Sequence, residues 1–196
     1  QALKKIGYST GHFGKWHLNG LRGPGVPILR DDKHSPGKFG FDYWFSTTNF
    51  FDIDPLMSRN GKFVDLKGSS SKVIFDEAIK FIKGNKIKET PFFAVIWDGS
   101  PHDPFVASEK DRSNFKSLNE NSQHHYGELV AFDRSLGVLR KTLKDLGLEK
   151  NTILWQIVMI WKRGYLVTNI FKTHCHTFQH QNASCLFQPL AIHAGS

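Results

Sequence analysis

Apolar residues along most of the chain fall into two alternating rhythms. Residues 71–83 place Ile74, Ala78, Phe81 and Ile82 at three- and four-residue steps, with Asp76 and Glu77 in the early turns and Gly84-Asn85 behind them. That spacing gathers the apolar groups on one side and supplies a stop, so it predicts an amphipathic helix over 71–83. Residues 91–97, Pro91-Phe92-Phe93-Ala94-Val95-Ile96-Trp97, are almost continuously apolar, as expected of a strand covered on both faces. From residue 123 to 146, Leu129, Leu136, Leu139, Leu143 and Leu146 return to the helical rhythm, and Gly147 follows as a C-cap. Thr152-Ile153-Leu154-Trp155 then begins another strand that reads as buried. Helix, strand, helix, strand in this order predicts a layered α/β domain. Leu3 and Ile6 around Lys4 and Lys5 read as a helix end, and no internal repeat is evident.

Between these elements lies the segment with the most chemistry, Gly11-His12-Phe13-Gly14-Lys15-Trp16-His17-Leu18. It reads as an oxyanion-binding strand end. Gly11 and Gly14 would let backbone approach a ligand, while Lys15 and His17, two apart on extended chain, would share a face. Lys supplies a fixed positive charge and His a proton that moves near neutral pH. The residues 19–40 that follow are dense in Gly and Pro and read as an ordered, irregular loop, the kind of connection that carries substrate contacts.

Composition adds a formal charge of +8. The basic residues are scattered, as in Lys4-Lys5, Lys80, Lys83, Lys86-Ile87-Lys88 and Arg140-Lys141, so no specific nucleic-acid site is expected and the field suits polyanions in general. No run of eighteen apolar residues is present, so no membrane span is expected. Two cysteines, Cys175 and Cys185, are too few for a disulfide framework. From residue 150 to the end there is no Asp or Glu, far from ordinary composition. The domain reading is therefore a folded unit over 1–155 and an atypical tail over 156–196. His174-Cys175-His176, His180 and Cys185 lack the Cys pair of zinc motifs, so no metal is assigned to them. Asn182-Ala183-Ser184 is a formal glycosylation sequon in the same tail. His124-His125 reads as a wet helix end, and Asp31-Asp32 as a solvated loop pair.

Gly7-Tyr8-Ser9-Thr10 running into Gly14-Lys15-Trp16-His17 resembles the second signature of the sulfatase family, in its alkaline-phosphatase-like fold. Further segments agree in the family's order. Residues 91–97 and Ser100-Pro101-His102-Asp103-Pro104 resemble the family's buried strand and its Pro-His-x-Pro loop. Residues 126–133 and 136–152 resemble its long helix and the Leu-Gly-Leu-x-x-Asn-Thr turn, and Gly40-Phe41-Asp42-Tyr43-Trp44 with Asn49-Phe50-Phe51 fit the same pattern. The resemblance covers about residues 1–155 and implies an internal piece of a layered α/β/α domain with a central, mostly parallel sheet. Secreted, lysosomal or periplasmic placement is implied by the family, although no targeting signal is legible here.

The activity implied is hydrolysis of sulfate esters of carbohydrate or aryl alcohols, with a formylglycine nucleophile that carries the sulfate as a covalent intermediate. Lys15 would neutralise a sulfate oxygen, His17 would take a proton from the nucleophile, and His102 would serve the ester oxygen as the alcohol departs. Lys15 and His102 are thus also the substrate-binding residues. The modification motif is Cys or Ser, x, Pro or Ala, x, Arg, and no segment fits: Ser108-Glu109-Lys110-Asp111-Arg112 has Lys where Pro or Ala is required. The family's Ca²⁺ would need paired aspartates expected upstream of Gln1 and an Asp-Asn pair expected just past Trp155. The chain there reads Gln156-Ile157-Val158-Met159-Ile160, which suggests a frameshift or a retained intron. This chain is therefore expected to bind an anion without turning over an ester. The alternative reading is a non-catalytic protein that binds anions or sulfated polysaccharide. Its oligomeric state is not legible.

Overall fold

Three apolar stretches, at residues 9–15, 43–47 and 92–97, pair side by side and set the architecture. The structure is a computed structural model that describes residues 1–20, 26–49, 53–162, 165–172 and 184–193, with side chains up to residue 156. In chain order the elements are α1 (Ala2–Lys5), β1 (Ser9–Lys15), β2 (Tyr43–Thr47), β3 (Leu56–Arg59), β4 (Lys62–Asp65), α2 (Ser70–Ile87), β5 (Phe92–Trp97), α3 (Glu109–Arg112) and α4 (Glu120–Asp145). β6 (Thr152–Lys162), β7 (Tyr165–Lys172) and β8 (Ser184–His193) follow. The eight strands form one sheet in the order β4-β3-β2-β1-β5-β8-β6-β7. At its centre β1 runs parallel to β2, from Gly11 opposite Tyr43 to Lys15 opposite Thr47, and parallel to β5, from Ser9 opposite Phe92 to Gly14 opposite Trp97. The flanking pairs are antiparallel. The expected mixed α/β sheet with a parallel centre is thus present.

Alternation along the central strands splits the core in two. Phe13, Phe45, Phe92, Ala94 and Ile96 join Ile74, Ala78 and Ile82 of α2 and Leu136, Leu139 and Leu143 of α4 in one buried cluster. Phe75 and Phe132 meet edge to face at 5.7 Å between centroids and bind the two helices together. On the opposite face Trp16, Ile28 and Trp44 form a second cluster with Phe41 and Trp97. The residue 26–44 loop, not a helix, supplies much of that cover.

α2 is longer than the 71–83 expected, because Gly84-Asn85 does not stop it. The Asn85 side chain donates through Nδ2 back to the Phe81 carbonyl at 2.9 Å, four residues earlier and inside the helix. The end comes at Lys88, followed by Glu89 in the left-handed region (φ 52°). α4 starts at Glu120, before the expected residue 123. Its polar first turn carries no apolar rhythm, yet Asn119 caps it by accepting from the Ser122 amide at 2.9 Å. Gly147 (φ 67°) closes α4 as expected, with its amide on the Lys144 carbonyl. The strand at 152–155 is not buried on both sides. Leu154 packs on the core, whereas Ile153 and Trp155, on the other face, are 48% and 38% exposed.

Candidate functional site

The carboxyl ends of β2, β1 and β5 lie together at one edge of the sheet. Chain leaves β1 toward β2 on one side and returns as β5 on the other, and crevices of this kind are where open α/β sheets bind ligands. Lys15 is the last residue of β1, opposite Thr47. It is half-buried, and desolvation lowers its pKa from the ordinary lysine value. Beyond it the backbone keeps contact with the β2 end: the Trp16 amide donates to the Thr47 carbonyl at 2.8 Å and the His17 amide to Thr48 at 2.9 Å.

Two expectations about this segment change. His17 has φ 49°, so extended chain stops before it and the two-residue alternation does not govern its direction. The residue is exposed at the edge. Nor do the glycines serve a ligand. A Cβ on Gly14 would lie 2.0 Å from the Trp97 carbonyl oxygen, and one on Gly11 would lie 2.8 Å from the Phe13 ring. Both are small because strand and ring packing leave no room for a side chain.

The crevice is buttressed by the residue 26–48 region. Asn19, buried, donates to Thr48 Oγ1 at 3.0 Å and to Asp32 Oδ2 at 3.4 Å, and Trp16 Nε1 donates to the His34 carbonyl at 2.6 Å. Asp32 also accepts from the His34 amide at 2.8 Å. Asp32 therefore shapes the loop, while its neighbour Asp31 is exposed, as expected of a solvated pair.

β5 leads into the loop that carries His102. Asp98, directly after β5, is 2% exposed. Its Oδ1 accepts from the Ser100 amide at 3.3 Å, and burial pushes its pKa up to about 6 against hydrogen bonds from Ser71 and the Gly99 and Ser100 amides. His102 is partly exposed, with Nδ1–H donating to the Asp103 carbonyl at 2.8 Å. The far end of the loop is fixed to α4. Val106 donates its amide to Glu128 Oε1 at 2.6 Å, and Ala107 donates to His124 Nδ1 at 2.9 Å, with Arg112 beside Nε2 at 2.9 Å. The wet-end reading of His124-His125 is thus corrected. His124 anchors the loop, and His125 packs edge-on against Phe105 at 4.5 Å, where burial lowers its pKa.

Under the crevice sits a residue that the sequence did not single out for chemistry. His12 is fully buried, with Nδ1 2.7 Å from Ser46 Oγ and its ring against Trp16 (4.8 Å), Trp97 (4.9 Å) and Phe41 (5.4 Å). Burial holds its pKa down at about 3, so it is neutral at physiological pH.

His12 and Asp98 predict an unusual acid response. Below about pH 6.5 the unfolded chain protonates His12 and the folded chain does not, so stability declines by about 1.4 kcal/mol per pH unit as pH falls. Asp98 has the opposite sign. Between about 6 and its ordinary 3.8 the folded chain binds the proton, which returns a similar amount. These two contributions should therefore nearly cancel between about pH 6 and 4. Asp98→Asn removes one and should expose the other, giving a steep loss below pH 6 in urea denaturation. Parallel pH profiles for the two proteins would refute the assignment.

Lys15, His17 and His102 are brought to the same sheet edge by register and loop connectivity. Among the described residues no group of three or more His, Cys, Asp or Glu side chains could hold a metal ion. His174, Cys175, His176, His180 and Asn182 lie outside the described residues, as does the Cys185 side chain. Among the described residues no helix is long and apolar enough to cross a membrane. The basic residues stay dispersed, several in ion pairs: Lys4 with Asp42 (2.5 Å), Lys80 with Glu77 (3.2 Å) and Lys141 with Asp145 (2.6 Å).

Residues 1–156 match the family profile described as Sulfatase. The chain is 29% identical over 181 residues to an ulvan-active sulfatase of Formosa agariphila, covering 79% of this chain and 33% of that protein. It is 29% identical over 176 residues to an N-acetylgalactosamine-6-sulfatase of Rattus norvegicus, covering 79% and 30%. The chain thus spans about a third of the length of these curated relatives. Among solved structures, the crystal structure of Ps i-CgsB superposes with a TM-score of 0.69 at 22% identity, over 97% of this chain and 46% of that one.

Proposed function

The chain belongs to the sulfatase family, and from that premise we propose that Lys15, His17 and His102 form part of the sulfate-ester site of a sulfatase catalytic domain. The observation that carries this reading is the parallel register of β1 with β5. It sets Lys15 level with the residue after Trp97, so that a cation and the His102 loop rise from adjacent strand ends.

Each group has a chemical task suited to its setting. The half-buried Lys15 ammonium offers a sulfate oxygen a charge-assisted hydrogen bond where water competes less. His102 donates through Nδ1 to the Asp103 carbonyl, which orients the ring, and its Nε2 would serve the ester oxygen as the alcohol departs. His17, exposed at the edge, is the proton acceptor of the set. The substrate class is a sulfate ester, and the ulvan-active and N-acetylgalactosamine relatives favour a sulfated carbohydrate over an aryl alcohol.

The residues present do not fit the two groups that the family implies. Of the adjacent acidic pairs, Asp31-Asp32 has Asp32 committed to the loop and Asp76-Glu77 is taken up by Lys72 and Arg59, and no described cluster fits Ca²⁺. No segment carries the formylglycine motif. No step is therefore assigned to either group. This chain holds an anion and performs no turnover, since members of a catalytic set do not act additively when the rest are missing. We assign residues 1–155 to the partial catalytic domain and 156–196 to a tail of different origin.

Retention on a sulfated polysaccharide matrix separates this site from net charge. Lys15→Ala is expected to weaken binding about tenfold or more, the loss of one charged hydrogen bond, while Lys141→Ala leaves it unchanged. Equal, small losses for both would assign binding to the +8 charge alone.

A further inference from the structure

The loop from Asp98 to Ala107 is fixed at both ends, and the two attachments differ in kind. At its far end the amides of Val106 and Ala107 are held by Glu128 and His124 of α4. At its near end the holder is one carboxyl group. Asp98 lies at the end of β5, in the row after Gly14 and Trp97, and is turned inward, 2% exposed. Its Oδ1 accepts from the Ser100 amide, two residues on, which closes the start of the loop into a side-chain turn. The Ser71 hydroxyl, in the first turn of α2, faces the same carboxyl. Ser100 Oγ in turn lies 3.3 Å from Ser70 Oγ, so that two contacts join the loop to the start of that helix.

Asp98 Oδ2 has no hydrogen-bond partner among the described residues. A buried oxygen in that state is costly, and neither the core nor the sulfate-binding set makes use of it. Keeping a carboxyl there is understandable if its other oxygen fixes something that must not move. Two residues beyond Ser100 stands His102, whose ring is aligned by the carbonyl of Asp103.

We propose that Asp98 is the positioning residue of the His102 loop, its buried carboxyl fixing Ser100 against α2 so that the imidazole is held at the crevice. This inference rests on the sulfate-ester reading of that crevice. The groups packed about Asp98 are the Gly99 and Ser100 amides and Ser71 of α2. Lys15 of β1 stands in the same row across β5, and His102 on the loop is the neighbouring titratable group. Within α2, the nearby charges Lys72 and Asp76 pair with one another at 2.5 Å on the exposed side.

The test follows the Ser100 amide and the His102 imidazole by nitrogen-edited NMR in the full chain, as wild type, Asp98→Asn and Asp98→Ala, from above to below pH 6. In the wild type the Ser100 amide signal should show an inflection near pH 6 as Asp98 gains its proton. Asp98→Asn keeps an acceptor oxygen and should hold the loop while losing that inflection. Asp98→Ala should shift the His102 ring signals toward those of an unrestrained histidine. A folded Asp98→Ala protein with unchanged Ser100 and His102 signals would overturn the proposal. Should that variant fail to fold, identical pH profiles of the Ser100 amide in wild type and Asp98→Asn would overturn it instead. Inorganic sulfate added to the same samples keeps the two readings apart: a wild type in which Lys15 and His102 ignore sulfate refutes the site, not the hold of Asp98 on the loop.

Discussion

Gly14→Ala is expected to cost more than about 4 kcal/mol, a large share of the stability of a typical domain. The added Cβ would stand 2.0 Å from the carbonyl oxygen of Trp97 and 2.8 Å from its carbonyl carbon. Those are backbone atoms of the paired strand, so no side-chain rotation relieves the clash. The residue also has φ 102°, a conformation that an L side chain resists. Only separation of β1 from β5 at its carboxyl end accommodates the methyl group, and from that end the chain continues to Lys15 on one strand and to the His102 loop on the other. Gly84→Ala is the matched control. Gly84 lies inside α2 with nothing within 4 Å of a Cβ, so alanine there should stabilise by about 0.5–1 kcal/mol. The same chemical change thus has opposite signs at two positions. Urea denaturation of both variants checks this, and equal stabilities would contradict the packing described.

Glu77→Ala should cost about 2–3 kcal/mol, below the range for breaking a fully buried ion pair because the Arg59 side chain left behind is 35% exposed. The Glu77 side chain is only 4% exposed and receives Arg59 through Nε at 2.5 Å and Nη2 at 3.1 Å, Lys80 at 3.2 Å, and the Tyr43 hydroxyl. Those partners come from β2, β3 and α2, so one carboxylate ties the sheet to the helix that covers it. Burial alone would raise its pKa, but the hydrogen bonds from Arg59, Tyr43 and Lys80 hold it below the ordinary value. Alanine leaves the Arg59 guanidinium over the Phe45 ring without its counter-charge. Replacing the pair together, as Arg59→Met with Glu77→Leu, should recover most of the loss, because the desolvation of both charges goes with them. Chemical denaturation of the single and double variants measures the difference. A double variant as unstable as Glu77→Ala would show that the carboxylate matters for another reason.

Much of the fold was legible because its signals are local. The run Phe92–Trp97 is apolar on both faces because Phe92, Ala94 and Ile96 lie in the cluster with α2 and α4, while Trp97 packs with Trp16 on the other face. The leucines of α4 lie on the α2 side. Gly147 ends α4 because the left-handed turn there suits glycine. The α2 end was misread for a local reason as well. Asn85 and Gly84 are common stop residues, but packing of Ile79 and Ile82 in the core carries the helix past them to Lys88.

What escaped the sequence depends on distant chain. Nothing near Gly14 in sequence says that Trp97 will press against it. His12 reads as one more polar residue in a glycine-rich motif until Trp16, Phe41 and Trp97 enclose it. Asp98 follows an apolar strand, where a polar residue commonly marks solvent, yet it faces inward toward Ser71. His124 opens onto its helix's wet side by periodicity and is claimed instead by the amide of Ala107. Lys15, His17 and His102 were legible only as a motif and a loop. The register of β1 with β5 supplies their common edge.

The most direct test of the account is an NMR titration of the full chain with inorganic sulfate, following the Lys15 ammonium and the imidazoles of His17 and His102. These three groups should shift together along one saturable curve, and Lys15→Ala should abolish the common response. Shifts spread over the surface lysines, with those three groups unmoved, would contradict a sulfate site at the carboxyl ends of β1 and β5.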